Sequence, residues 1–198
     1  LGDVYKRQGL RFRANFFKTI KGSAAVLRRV ESIVPEMEQL NLPPVLYDAV
    51  DMHKGLVLVT GPTGSGKTTT IASIINEINK TRKANIITVE DPVEFIHKDK
   101  LSIISQREVG KHTQSFSNSL RAALREDPDI IFVGELRDLE TISLAMTAAE
   151  TGHVVFGTLH TSGAPETINR IIDVFPPEQQ SQIKAQISNS VKMVLTQR

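Results

Sequence analysis

The stretch Gly61-Pro62-Thr63-Gly64-Ser65-Gly66-Lys67-Thr68 limits what this chain can fold into more than any other segment. It follows the apolar run Leu56-Val57-Leu58-Val59 and leads into Ile71, Ile74, Ile75 and Ile78, spaced i, i+3, i+4, i+7. The apolar run reads as a buried strand and the isoleucines as one face of an amphipathic helix. A G-x-x-x-x-G-K-[ST] turn between two such elements is a phosphate loop. Its glycines let successive backbone N–H groups and the helix N-terminus close around a polyphosphate. Lys67 then reaches the β- and γ-phosphates and Thr68 offers its hydroxyl to Mg²⁺. Gly61, Thr63, Gly64, Ser65, Gly66, Lys67, Thr68 and Thr69 are the expected nucleotide-binding residues, with ATP and Mg²⁺ as cofactors.

The rest of the chain repeats the strand–helix alternation. Ile86 to Val89 and Ile130 to Val133 are apolar strands, Asn118 to Arg125 is helical, Leu139 to Met146 carries a second helix, and Val154-Val155-Phe156 opens a further strand. Such alternation implies an α/β fold with a mainly parallel sheet covered by helices on both faces. Before it, Leu10, Phe12, Ala14 and Phe16 alternate as a half-buried strand, and Val26, Leu27 and Val30 suggest another. The expected organisation is a foreign segment at 1–8, the remnant of an N-terminal sheet domain at 9–34, and a linker and helix at 35–54. An ATPase core cut short at its C-terminus fills 55–198. Ile183, Ile187, Val191 and Val194 recur at helical spacing, so the chain is expected to end inside a helix.

Composition narrows the class further. There is no Cys, which excludes disulfides, thiolate zinc sites and a Cys nucleophile, and fits a reducing compartment. The formal charge of +2 gives no sign of a broad nucleic-acid surface, and no apolar run reaches the roughly 18 residues of a membrane helix. A cytoplasmic protein is expected.

Hydrolysis needs groups to hold the metal and to act on water. In Asp129-Ile130-Ile131-Phe132-Val133-Gly134-Glu135 an acid stands at each end of a strand, about 20 Å apart at roughly 3.3 Å per residue. Ligands of parallel sheets sit beyond the carboxyl ends of the strands, so Glu135 belongs to the site and Asp129 does not. Glu135 would act through Mg²⁺-bound water or on the attacking water. Glu90-Asp91-Pro92-Val93-Glu94 crowds three carboxylates after another strand, where mutual repulsion could raise one pKa towards that of a base. His153 and His160 bracket Val154 to Leu159, and only His160 stands at the carboxyl end, where it can meet transferred charge. Arg121 and Arg125, four apart on one helical face, could serve a neighbouring subunit.

These motifs, in this order and spacing, resemble the secretion-type ring ATPases among P-loop NTPases. Within them, Leu124-Arg125-Glu126-Asp127-Pro128-Asp129, Ala148-Ala149-Glu150-Thr151-Gly152-His153 and Ile171-Ile172-Asp173-Val174-Phe175-Pro176 look most like the retraction ATPases of type IV pili. The resemblance implies a RecA-like core after a small α+β, PAS-like N-terminal domain, assembled as a homohexamer. It implies Glu94 as general base, Glu135 as the Walker B acid and His160 as a γ-phosphate contact. Arg13 and Arg28 would approach nucleotide from the N-terminal domain, and Arg121 and Arg125 across subunits. It also implies an inner-membrane pilus platform protein as partner at the pilus base, with membrane contact only through partners. Alternatives are a pilus-assembly, type II secretion or DNA-transfer ATPase, and a non-catalytic nucleotide-binding regulator. Retention of Glu94 and Glu135 argues against the last.

Overall fold

The computed structural model describes residues 3–7, 10–30 and 33–198, with side chains from residue 12 onward in that set. A three-stranded antiparallel sheet comes first: β1 (Asp3–Arg7), β2 (Leu10–Thr19) and β3 (Gly22–Val30), with β2 central. Residues 3–7 of the opening segment therefore pair with β2, whereas Leu1, Gly2, Gln8 and Gly9 lie outside the described residues. In the β2–β3 pair Arg13 stands opposite Arg28, so both guanidinium groups leave the same face of the sheet.

Two short 3₁₀ turns and α1 (Tyr47–Asp51) lead into the larger domain. Its elements in order are β4 (Gly55–Thr60), α2 (Lys67–Thr81), β5 (Asn85–Glu90), β6 (Ile103–Glu108) and α3 (Phe116–Ala123). There follow β7 (Ile130–Val133), α4 (Leu139–Glu150), β8 (Val154–Leu159), α5 (Ala164–Asp173), α6 (Pro177–Ser190) and β9 (Val191–Thr196). All six strands run parallel, in the order β6-β5-β7-β8-β4-β9. The central strands β4, β7 and β8 are buried throughout, which is why they read as unbroken apolar runs.

Alternation along β4 sends Leu56 and Leu58 to one face and Val57 and Val59 to the other. The first pair packs with Ile142 and Met146 of α4, Ile171 of α5 and Ile183 of α6. The second packs with the α2 isoleucines, each at most 1% exposed, and with Leu46 and Phe156. Burying each isoleucine stabilises the fold by about 1.5–3 kcal/mol relative to exposure. Helices thus cover both faces, as the alternation of elements implied.

One expectation fails. The helical pattern does not run on to Val194; α6 ends at Ser190 and Val191 to Thr196 form β9, paired in parallel with β4. Val191 and Val194 fit either period. The free edge of β4 decides between them, because a β-branched run there completes ladder bonds that a helix would leave open.

Candidate active site

Strand order alone brings the chemistry together. The carboxyl ends of β5, β7, β8 and β4 are neighbours in that order, at the ~4.8 Å spacing of a sheet. They carry the Glu90–Glu94 segment, Glu135, His160 and the phosphate loop respectively. A cleft of about 330 Å³ opens along this rim, lined by Thr63, Gly64, Gly66, Lys67, Thr68 and Thr69 from the loop. Glu94, Glu135 and His160 line it from the other strands, and Arg28 closes it from the N-terminal sheet.

Gly61 and Ser65 lie beneath the cleft. Gly61 has φ +144°, and a Cβ on it would stand 2.3 Å from the Gln197 carbonyl oxygen, so only glycine fits. The Ser65 hydroxyl is buried with no protein partner. α2 has Gly66 as its N-cap and no side-chain cap, unlike α3 and α4, which Ser115 and Asp138 cap. Its first N–H groups are thus left to an anion.

Lys67 is 8% exposed, and its Nζ donates to the carbonyls of Gly61 and Pro62, both at 2.9 Å. Burial pulls its pKa down, against the opposing pull of Glu135 and Glu94. The same Nζ is 3.4 Å from His160 Nδ1, and His160 Nε2 is 3.4 Å from Glu135 Oε1. A ring nitrogen facing an ammonium has to accept, so the imidazole proton belongs on Nε2, towards the carboxylate. Lys67, His160 and Glu135 therefore form one polar row across three adjacent strands. Arg137 completes it by donating to Glu135 Oε2. Partial burial works against the ionised form of Glu135, but Arg137 and then His160 outweigh it and hold the carboxyl below its usual range.

Glu90 corrects the cause expected for the acidic segment. Its carboxyl is pushed up to about 7 chiefly by burial, with the charge of Glu94 a small addition. Thr88 Oγ1 donates to it at 2.7 Å and Gln106 Nε2 at 3.2 Å. The raised acid is therefore Glu90, behind the cleft, while Glu94 lines the cleft itself.

The arginines divide. Arg13 and Arg28 line an adjoining cleft of about 170 Å³ with Thr69 and Glu94. Arg121 and Arg125 line neither: both are exposed, Arg121 on α3 and Arg125 in the turn after it, because α3 stops at Ala123 short of the expected Arg125, and Arg121 pairs with Glu140 of α4. His153, at the opposite rim, contacts the Ala148 carbonyl through Nδ1 at 2.9 Å, and Asp129 accepts the Asn85 N–H at 2.7 Å. Both tie chain segments together away from the cleft. Sequence reasoning passed over Arg137 and Thr158, both cleft-lining, while Asp91 of the expected acidic segment lines the cleft as well. The Glu-x-Arg spacing of Glu135 and Arg137 was the available signal.

The donor set suits Mg²⁺ and a triphosphate. Space stands open where Cβ atoms would be at Gly64 and Gly66, and the nearby oxygens are the Thr68 hydroxyl and carboxylates. Among the described residues no cluster of three His, Asp or Glu could hold a metal alone.

The family model for type II/IV secretion system proteins matches residues 4–198. The chain is 54% identical over 187 residues to the twitching motility protein of Neisseria gonorrhoeae, covering 94% of this chain and 50% of that protein. It is 53% identical to the type IV pilus retraction ATPase PilT of Pseudomonas aeruginosa, covering 94% and 54%. The crystal structure of the pilus retraction motor PilT with bound ADP superposes with a TM-score of 0.94 at 52% identity, covering 98% of this chain and 57% of that one. The chain thus spans about half the length of the curated relatives it matches.

Proposed function

Because the chain belongs to the type II/IV secretion system protein family, we propose that it is the nucleotide-binding core of a Mg²⁺-dependent ATPase whose hexameric ring retracts type IV pili. The observation that carries this reading is the row Lys67–His160–Glu135, set across adjacent strand ends beside an uncapped helix N-terminus. A triphosphate in the cleft would lie on the loop amides, with Lys67 leaving the Gly61 and Pro62 carbonyls for the β- and γ-phosphates. Thr68 and Glu135 would hold Mg²⁺, Glu135 through water, and the ion would neutralise charge on the transferred phosphoryl group.

Glu94 is the proposed general base for the attacking water, and His160 the γ-phosphate contact. His160 Nε2–H now faces Glu135, and a small turn of the ring would present it to a phosphate oxygen. Arg13 and Arg28 are assigned to nucleotide from the N-terminal sheet. Arg121 and Arg125, exposed and turned from their own cleft, are assigned to a neighbouring subunit. The resemblance to retraction motors supports a cytoplasmic ring at the pilus base, acting on an inner-membrane platform protein. Among the described residues no helix is long and apolar enough to cross a membrane.

Glu135→Gln tests the chemistry: MgATP turnover should fall by about a hundredfold or more while a fluorescent ATP analogue still binds. Unchanged turnover would sink the assignment. Deleting the gene tests the motor: fibres should still form but fail to retract, whereas loss of the fibres themselves would point to assembly.

A further inference from the structure

Residues 91–102 join β5 to the edge strand β6 and carry Glu94. A general base has to be held within about 2.6–3.2 Å of the proton it takes, so something has to fix this long connection. Its far half is tied to α2: the buried Asn79 donates to the Lys98 carbonyl at 2.8 Å and accepts the Lys100 N–H at 3.0 Å. Its near half is tied to β6.

Gln106 and Glu108 are two apart on β6 and share a face. Glu108 Oε2 accepts the Val93 N–H at 3.1 Å. Gln106 Nε2 donates to the Phe95 carbonyl at 2.8 Å, and Gln106 Oε1 accepts the His97 N–H at 2.9 Å. The residues before and after Glu94 are therefore each bonded through the backbone, Val93 by its N–H and Phe95 by its carbonyl, to one of these two side chains. Gln106 also reaches Glu90 at 3.2 Å, at the strand end from which the connection departs. Arg107, between them, points the other way and pairs with Glu126 at 2.6 Å.

We propose that Gln106 and Glu108 are positioning residues for catalysis: a two-point clamp from the edge strand that fixes the backbone on both sides of Glu94. The proposal rests on the reading of Glu94 as general base. Displacing the Glu94 Cα along or across the rim works against both bonds. The clamp touches neither nucleotide nor metal site, so it governs turnover and not binding.

The test uses the full-length protein with MgATP and five variants: Glu94→Gln, Gln106→Met, their double, and Glu108→Ala beside Glu108→Gln as a matched pair. Gln106→Met should lower kcat by about ten- to a hundredfold, the scale of a 1 Å misplacement, with the affinity for a non-hydrolysable ATP analogue unchanged to within about twofold. In the Glu94→Gln background it should lower kcat no further, because the two act as a unit. Hydrogen exchange should speed up at the His97 amide in Gln106→Met and at the Val93 amide in Glu108→Ala. Glu108→Ala and Glu108→Gln both lose the Lys111 ion pair, but Gln keeps an acceptor for Val93 and should restore most of the kcat that Ala loses.

If Glu94→Gln retains full turnover, the base assignment fails and the clamp with it. If Glu94→Gln is impaired but Gln106→Met is not, or the two losses multiply in the double variant, the base stands and the clamp is overturned. Should Gln106→Met prove unfolded by circular dichroism, the Glu108 pair decides: equal kcat in Ala and Gln overturns the proposal.

Discussion

Gly157→Ala should damage catalysis from inside the sheet, at a residue that touches no nucleotide. Gly157 is the fourth residue of β8, and the side chain of Leu136 fills the space where its Cβ would stand. An alanine Cβ would lie 2.7 Å from Leu136 Cδ1 and 3.0 Å from Cγ, short by about 1 Å of the ~3.5–4.0 Å contact between carbons. Leu136 is 4% exposed in the core cluster that also holds Leu58, Val133, Val155 and Ile171, so it can turn aside only against that packing. Overpacking of this kind costs about 1–3 kcal/mol, and replacing a strand glycine returns about 0.5–1 kcal/mol. The net loss is about 1 kcal/mol, which at a slope near 2 kcal/mol/M moves the urea midpoint by about 0.5 M. Turnover should suffer more. Leu136 follows Glu135 directly and its N–H is bonded to the Thr158 carbonyl at 3.0 Å. Thr158 Oγ1 in turn holds the Gly134 carbonyl, so Glu135 is pinned on both sides. A push of about 1 Å delivered there lowers kcat by about a hundredfold. Urea unfolding, MgATP turnover and nucleotide titration of the single variant, Leu136→Ala and the double variant check this. The double should be more stable than the sum of the singles predicts by about 1 kcal/mol, since the truncated side chain relieves the overlap. A single variant with wild-type midpoint and kcat, or strictly additive losses, would refute the notch.

Two further outcomes follow from charge. Lys67→Ala removes the cation meant for the β- and γ-phosphates and should weaken a fluorescent ATP analogue by about ten- to a hundredfold, the range of one charge-assisted hydrogen bond; unchanged affinity in an equilibrium titration would show that the loop amides suffice. Glu90 and His97 should oppose one another in stability against pH: burial raises Glu90 from 4.5 to about 7, so its contribution is full below 4.5 and lost as pH rises through 7. Burial, with Lys100 adding to it, lowers His97 from 6.5 to about 4, so its contribution is full above 6.5 and lost as pH falls through 4. His97→Phe leaves Glu90 unopposed. Relative to wild type, its unfolding free energy in urea without nucleotide should rise by about 2 kcal/mol from pH 6.5 to 4.5. Parallel curves for the two proteins would contradict the assignment.

Residues whose roles are set by near neighbours were readable from sequence, and those set by distant pairing were not. The phosphate loop is local: glycine spacing, a strand before it and isoleucine periodicity after it suffice. Glu135 was placed at the correct rim by counting strand residues. Arg121 lies on α3, but the helix stops at Ala123 and Arg125 falls in the turn beyond it; spacing cannot say that neither lines the cleft of its own chain. β6 was passed over because Ser105, Gln106, Arg107 and Glu108 give an edge strand no apolar signature; its polar side chains support the Glu94 segment instead of a core. Arg137 was signalled only by its Glu-x-Arg spacing from Glu135, which does not by itself say that the two side chains meet.

β9 shows why the last segment has to be a strand if the site is to stand. Its start lies at the amino rim of the sheet, where the Ser190 carbonyl oxygen approaches within 3.1 Å of where a Gly55 Cβ would be. Its end lies at the opposite rim: the Gln197 N–H bonds the Thr60 carbonyl at 2.8 Å, and Gln197 Nε2 donates to Thr70 Oγ1 of α2 at 2.7 Å. The Gln197 carbonyl closes against Gly61, fixing the first residue of the phosphate loop. Six residues cover about 20 Å as a strand and about 9 Å as a helix. A helix over the same residues would stop about halfway across the sheet, and Gln197 would never reach the loop. The cleft is therefore buttressed from both edges of one sheet, by β6 beneath the Glu94 segment and by β9 beneath the phosphate loop. A site that tolerates displacements of only about 0.5 Å needs that support where the sheet would otherwise have free edges.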